Sequence, residues 1–186
     1  MEYDRADKEV AEMSKIKVNE QRTVDEFQEL TAIDAPSFGE RQMADRLIVK
    51  LKELGFEVEE DNAGKHFGGN AGNLYAYLPG NLPGDPVLLS GHMDTVEPSK
   101  GKKGIIGEDG VIRSAGKAVL GADDVAGLVE ILEGIRSVKE AGVPHRDIEI
   151  LFAIAEELYI KGSSVFDFCN GDKPRRCKNQ IRCCRN

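Results

Sequence analysis

The sequence has no long hydrophobic run, no apolar segment at its amino terminus and no excess of positive charge. The longest apolar stretch of note, Ile150 to Ala155, is far too short to span a bilayer, and the first residues lack the apolar core of a signal peptide. The formal net charge of −8 argues against nucleic acid or an anionic membrane as a partner. We therefore expect a cytoplasmic protein that binds neither.

Cysteine is absent from the first 168 residues and then occurs four times in residues 169–186. This tail also holds six of the 25 basic residues and one of the 33 acidic residues. Its cysteine spacing does not match the paired Cys-x-x-Cys signature of a zinc site. We interpret the tail as an unrelated, disordered or frameshifted end. Residues 1–18 are charged and only loosely periodic, so we interpret them as an N-terminal extension, with Met1 or Met13 as the start.

Residues 19–168 have the length and composition of one ordinary domain. Two capping boxes, which begin at Thr23 and Ser37, each precede a helix, and a third helix is predicted over residues 122–136. Asp109-Gly110 predicts a hairpin, and the glycine-rich stretch 64–72 predicts a plain connecting loop. Strands are predicted at residues 56–59, 73–78, 87–89 and 148–155. Because helices and strands alternate, we expect an α/β fold with an open, mostly parallel sheet flanked by helices.

Polar side chains follow two of the predicted strands. His92 and Asp94 come just after the strand that begins at Val87, on one side of an extended chain. Glu156 and Glu157 follow the strand that ends at Ala155. In open α/β sheets, ligands bind beyond the carboxyl ends of the strands. These side chains are therefore expected to meet.

The pair Asp123-Asp124 opens the third predicted helix and could face the same crevice. A simpler explanation exists for each signal alone: acids favour the positive end of a helix, and histidines and paired glutamates are often merely solvated. Together, however, histidine, aspartate and glutamate suit a divalent ion such as zinc, and one carboxylate can bridge two ions. A remaining glutamate is then free to act as general base.

Three segments in this order resemble the metal-site motifs of the peptidase T-like branch of the zinc exopeptidases. They are Leu89 to Val96, Leu120 to Gly127 and Ala155 to Glu157. The wider family includes acetylornithine deacetylase and succinyl-diaminopimelate desuccinylase, and the resemblance covers roughly residues 18–168. It implies a zinc-exopeptidase-like catalytic domain.

The resemblance also implies a role for each motif residue. His92 binds one zinc and Asp94 orients it, Asp123 bridges two zincs, Glu157 binds the second zinc, and Glu156 is the general base. Asp123 is preferred over Asp124 because the family ligand is the first acid of the pair. The implied reaction is the attack of metal-activated water on a peptide bond, which releases N-terminal residues from short peptides. Cobalt or manganese could replace the two zincs.

The resemblance stops at Phe168. Relatives continue with a strand that bears another carboxylate ligand, a lid or dimerisation domain and a late histidine ligand, and none of these is recognisable here. We therefore expect a partial catalytic domain over residues 19–168, with too few ligands for full activity. Two alternatives stay open: a non-catalytic fragment or pseudoenzyme that binds metal or a partner, and an N-acyl amino acid deacylase. No oligomeric state is assigned.

Overall fold

The structure, a computed structural model, describes residues 14–166. In chain order its elements are α1 Glu20–Thr31, α2 Arg41–Glu53, β1 Glu57–Glu60, α3 Ala63–Phe67, β2 Leu74–Leu78, β3 Val87–His92, β4 Gly104–Ile106, β5 Ile112–Ser114, α4 Ala122–Ala141, β6 Ile148–Ala153 and α5 Lys161–Ser164. The predicted tail lies wholly outside the described residues, and the predicted extension lies largely outside them. None of the helices within 14–166 is long and apolar enough to cross a membrane.

Four strands form one sheet in the order β1-β2-β6-β3, and β4 pairs with β5 in a separate hairpin. The predicted α/β fold with flanking helices is confirmed, but the expectation of a mostly parallel sheet is wrong. Within this sheet only the pairing of β3 with β6 is parallel, while β1–β2 and β2–β6 are antiparallel. The reason is the connections: a short segment with one helical turn joins β1 to β2, whereas α4 supplies the long crossover that a parallel pair requires.

The central strand β6 carries the most apolar sequence because it is paired on both sides and covered by helices. Its Ile150 and Phe152 are fully buried, as is Ile154 just beyond it. They pack with side chains of α1, α2, α4 and β2 in one core, which includes Leu30, Met43, Leu47, Leu51, Leu74, Leu128 and Leu132. The carboxyl end of β6 is therefore a rigid base for the residues that follow it.

Both predicted capping boxes are wrong, although the two helices that they predicted, α1 and α2, are present. Helix α1 begins before Thr23, because the Asn19 side chain accepts a hydrogen bond from the amide of Arg22 and caps the helix. Helix α2 begins at Arg41, and its N-cap residue Glu40 makes no side-chain capping bond. The Glu40 carboxylate instead accepts hydrogen bonds from the amides of Phe38 and Ala155.

Two further segments differ from their predictions. The stretch 64–72 is not a plain loop, since α3 occupies its first part. Helix α4 extends to Ala141 and ends at Gly142, whose φ of 63° suits glycine. At its other end, Asp123 and Asp124 have non-helical backbone angles. The two acids therefore belong to the turn that leads into the helix, where their carboxylates can point in different directions.

Glu133 on α4 joins this helix to α1. Its side chain is 2% exposed and accepts hydrogen bonds from Arg22 Nε at 2.7 Å, the Asn19 amide at 2.8 Å and Ser137 Oγ at 3.0 Å. Burial alone would raise the pKa of Glu133, but these donors outweigh it and lower the pKa to about 2. The ionised Glu133 carboxylate therefore stabilises the folded state.

Replacing Glu133 by glutamine should lower the free energy of unfolding near neutral pH by about 3 kcal/mol, because the neutral amide removes the buried negative charge that pairs with Arg22 and Arg136. Because the folded pKa is depressed, the wild-type advantage is present above pH 4.5 and disappears as the pH falls toward about 2. Urea unfolding at several pH values measures it. The control is Glu140→Gln, which removes the exposed partner of the same arginine. Equal losses in both variants, or a pH-independent difference, would contradict the role of Glu133.

Candidate metal centre

The parallel pairing of β3 with β6 brings two polar ends together. His92, the last residue of β3, lies opposite Ala153, the last residue of β6. The His92 Nε2 atom is 3.1 Å from Asp123 Oδ1 and 3.7 Å from Glu156 Oε2. At this edge of the sheet, three side chains that are far apart in the sequence lie close together: His92 at the end of β3, Asp123 at the start of α4 and Glu156 after β6.

One ligand atom each from His92, Asp123 and Glu157 lies within 4.8 Å of the other two. Among residues 14–166 these three side chains form the one group of at least three potential metal-ligating residues. His92 is buried, while the Asp123 side chain is 85% exposed. The group is therefore anchored in the protein on one side and open to solvent on the other, as a site that admits a substrate must be.

Asp94 lies beneath this group and is completely buried. Its Oδ1 accepts the amide of Glu156 at 2.9 Å, and its Oδ2 accepts the amide of Glu157 at 3.2 Å. The Ser37 hydroxyl donates to the same Oδ2 at 2.6 Å. One carboxylate therefore fixes the backbone of both glutamates.

Asp94 also determines which nitrogen of His92 is available. The His92 Nδ1 atom is 2.9 Å from the Asp94 carbonyl oxygen and 3.4 Å from its Oδ1. Two acceptors at this nitrogen favour the tautomer with a proton on Nδ1. Once Nε2 is deprotonated, its lone pair would point toward Asp123, where it could bind a metal.

Asp124 has a different task from Asp123. Its Oδ2 accepts the backbone amide of His92 at 3.1 Å. The carboxylate fits because glycines adjoin it: a Cβ at Gly91 would lie 2.8 Å from Oδ2, and one at Gly127 would lie 2.2 Å from Oδ1. Asp124 therefore supports the end of β3, a function that the sequence reasoning did not assign.

The sequence did not predict that three further residues, Ser37, Glu40 and Asn73, support the site through hydrogen bonds to Asp94 or to the backbone after β6. Asn73, buried in the core, accepts the amide of Ile154 at 3.0 Å and donates to the carbonyl of Gly162 at 2.9 Å. It thereby ties the end of β6 to α5. In the sequence Asn73 stood out only as the first residue of a predicted strand, while Ser37 and Glu40 carried the signal of a helix cap.

The electrostatics of the cluster favour a cation. Burial of the imidazole would lower the pKa of His92, but Asp94, Asp123 and Asp124 outweigh it and raise the pKa to about 9. Burial, followed by the charge of Asp123, raises the pKa of Glu157. Neighbouring carboxylates thus contribute to both shifts, although burial is the larger cause for Glu157. A nitrogen and carboxylate-oxygen donor set with surplus negative charge fits a zinc-type divalent ion.

Over residues 73–182, more than half of its length, the chain matches the profile of Peptidase family M28. The chain belongs to peptidase family M28. All of the candidate ligands lie within the matched range. The predicted boundary at residue 168 also lies inside it and stays a prediction.

Individual relatives of this chain agree with the predicted resemblance to peptidase T. The crystal structure of aminopeptidase PepT from Bacillus cereus ATCC 10987 superposes with a TM-score of 0.78 at 39% identity, and that of a Staphylococcus aureus tripeptidase superposes with 0.78 at 37%. Each match covers 81% of this chain and 40% of the other. The uncharacterized protein YqjE of Bacillus subtilis (strain 168) is 37% identical over 150 residues, again 81% of this chain and 40% of its own length. The chain thus spans about two fifths of these relatives, and the resemblance is confirmed.

Proposed function

We propose that this chain carries the metal-binding and catalytic groups of a zinc-dependent aminopeptidase that releases N-terminal residues from short peptides. The observation that carries the proposal is the convergence of His92, Asp123 and Glu157 within 4.8 Å. Glu156 Oε2 lies 3.7 Å from the same imidazole. The substrate class is supported by the relatives, which are described as an aminopeptidase and a tripeptidase.

In this proposal His92 Nε2 and the carboxylates of Asp123 and Glu157 would hold the ion. Asp123, being largely exposed, could also contribute to holding a second ion. Cobalt and manganese accept the same donors as zinc. A bound zinc would polarise the peptide carbonyl and lower the pKa of water.

Glu156 is the proposed general base. Its side chain is 39% exposed and lies beside the ligand group, so its carboxylate can reach an attacking water. Glu156 takes a proton from that water as the new carbon–oxygen bond forms. It then returns the proton to the amine nitrogen when the carbon–nitrogen bond breaks. Asp94 serves this step by keeping the His92 ring and the Glu156 amide in place.

The same proposal covers the surroundings of the reaction. The substrate is a short peptide, the location is the cytoplasm, and neither nucleic acid nor a membrane is a partner. The substrate rests on the aminopeptidase and tripeptidase among the relatives, and the exclusion of nucleic acid and an anionic membrane rests on the net charge of −8. The cytoplasmic location is carried over from the sequence-based expectation.

Hydrolysis of Leu-Gly-Gly by the full chain tests the function. After chelation and return of zinc, we expect leucine and Gly-Gly as products, and no hydrolysis in chelator. An N-acetylated amino acid is the parallel substrate. Cleavage of that substrate alone would identify a deacylase, and zinc binding without cleavage of either would identify a non-catalytic metal-binding protein.

A further inference from the structure

The turn after β6 is held by two buried carboxylates. Its three successive amides each donate to one of them: Ala155 to Glu40 Oε1 at 3.0 Å, then Glu156 and Glu157 to Asp94. Ala155 has a φ of 46°, in the left-handed region that residues other than glycine rarely adopt. The conformation that presents both glutamates therefore depends on outside support.

Glu40 is an unusual residue in this support. It is 0% exposed, and its Oε1 also accepts the amide of Phe38 at 2.8 Å. Phe38 likewise has a positive φ, of 67°. Its other oxygen, Oε2, is buried without a hydrogen-bond partner among residues 14–166. A buried carboxylate with an unused oxygen costs stability, so a purely structural role does not explain it well.

The segment that holds Glu40 faces the metal centre and not its own helix. Sequence logic assigned Ser37 and Glu40 to capping α2, yet neither side chain does so. Ser37 donates to Asp94, and Glu40 accepts from Ala155, 115 residues away. Glu40 thus bonds directly to the turn after β6, and Ser37 bonds to Asp94, the other carboxylate that holds this turn.

We propose that Glu40 is a positioning residue for the metal centre, which holds the Ala155 amide so that Glu156 and Glu157 face His92 and Asp123. It acts through the backbone alone, since none of its hydrogen bonds goes to a candidate ligand. The inference rests on the proposed metal site but does not depend on the identity of the substrate.

The test compares Glu40→Ala, Glu40→Asp and Glu40→Gln in the full chain. Zinc affinity is measured by competition with a chromophoric chelator, and cobalt-loaded protein is compared by its visible spectrum. Alanine removes the acceptor, aspartate withdraws it by one methylene, and glutamine keeps an amide oxygen in its place. We expect alanine and aspartate to weaken zinc binding by roughly 10- to 100-fold and to change the cobalt spectrum, and glutamine to restore both toward wild type.

Glu26→Ala is the matched control. Glu26 is also a buried glutamate, 5% exposed, but it pairs with Lys50 and Arg136 away from the site. The substitution Glu26→Ala should lower thermal stability and leave the cobalt spectrum unchanged. If the Glu40 variants behave like this control, Glu40 is only structural and the inference fails while the metal site stands. If alanine does not fold, the contrast between aspartate and glutamine decides in the same way. A wild-type chain that binds neither metal would overturn the proposed function and this inference together.

Discussion

Replacing Asp94 by alanine is expected to weaken zinc binding by at least roughly 100-fold and to destabilise the metal-free protein by about 3 to 5 kcal/mol. The Asp94 carboxylate is completely buried and accepts hydrogen bonds from the Ser37 hydroxyl and from the amides of Glu156 and Glu157. Its removal leaves these donors without a partner and takes the Asp94 carboxylate away from His92 Nδ1, which keeps only the backbone carbonyl of residue 94 as its acceptor. Chelator competition measures the zinc affinity, and urea unfolding in chelator measures the stability.

Asp94→Asn separates shape from charge. Asparagine fills the same space but offers one oxygen where Asp94 uses two. Burial would raise the pKa of Asp94, yet the His92 ring and the Ser37 hydroxyl hold it below its ordinary value, so the charged form is the one that the site uses. We expect a smaller loss of stability than with alanine and a clear loss of zinc affinity. Unchanged zinc affinity in both variants would show that Asp94 does not organise the site.

The second large effect concerns the neighbours Glu156 and Glu157. Glu156→Gln should reduce peptide hydrolysis by roughly 100- to 10,000-fold and leave zinc affinity nearly unchanged, because glutamine cannot accept the proton. Glu157→Gln should reduce zinc affinity first, since Glu157 belongs to the ligand group and Glu156 does not. The two variants are matched controls for each other, because they make the same chemical change in adjacent residues. Hydrolysis at saturating zinc and the zinc affinity are the two measurements.

An exchanged pattern would refute the assigned roles. If Glu156→Gln lost the metal, while Glu157→Gln retained the metal and lost peptide hydrolysis, the base and the ligand would be the other way round. Equal losses of activity and of affinity in both variants would mean that the two glutamates act as a unit.

Much of the candidate site could be predicted because it depends on a general rule. Side chains at the carboxyl ends of parallel neighbouring strands meet at one edge, and this rule holds for His92 at the end of β3 and for Glu156 and Glu157 after β6. It held although most of the sheet is antiparallel, since it needs only that one parallel pair. Apolar periodicity likewise predicted the helices, whose buried faces form the core.

The supporting residues could not be predicted because their partners are distant in the chain. The pattern Ser-Phe-Gly-Glu is typical of a helix start, and nothing local distinguishes a cap from a side chain whose partner is 57 or 115 residues away. Asp124 presents the same difficulty. The space for its carboxylate comes from Gly91 and Gly127, and only the packed structure shows that these glycines adjoin it.

The most direct test of the metal centre is the amount of zinc bound by the full chain, measured by equilibrium dialysis followed by metal analysis. The wild-type protein and His92→Ala would be compared at the same free zinc concentration. His92 is the one nitrogen donor of the ligand group, so its removal should lower the affinity more than the loss of an exposed acid such as Asp109 would. We predict close to stoichiometric zinc in the wild type and little in the variant. No zinc in the wild type, or equal zinc in both proteins, would contradict the proposed site.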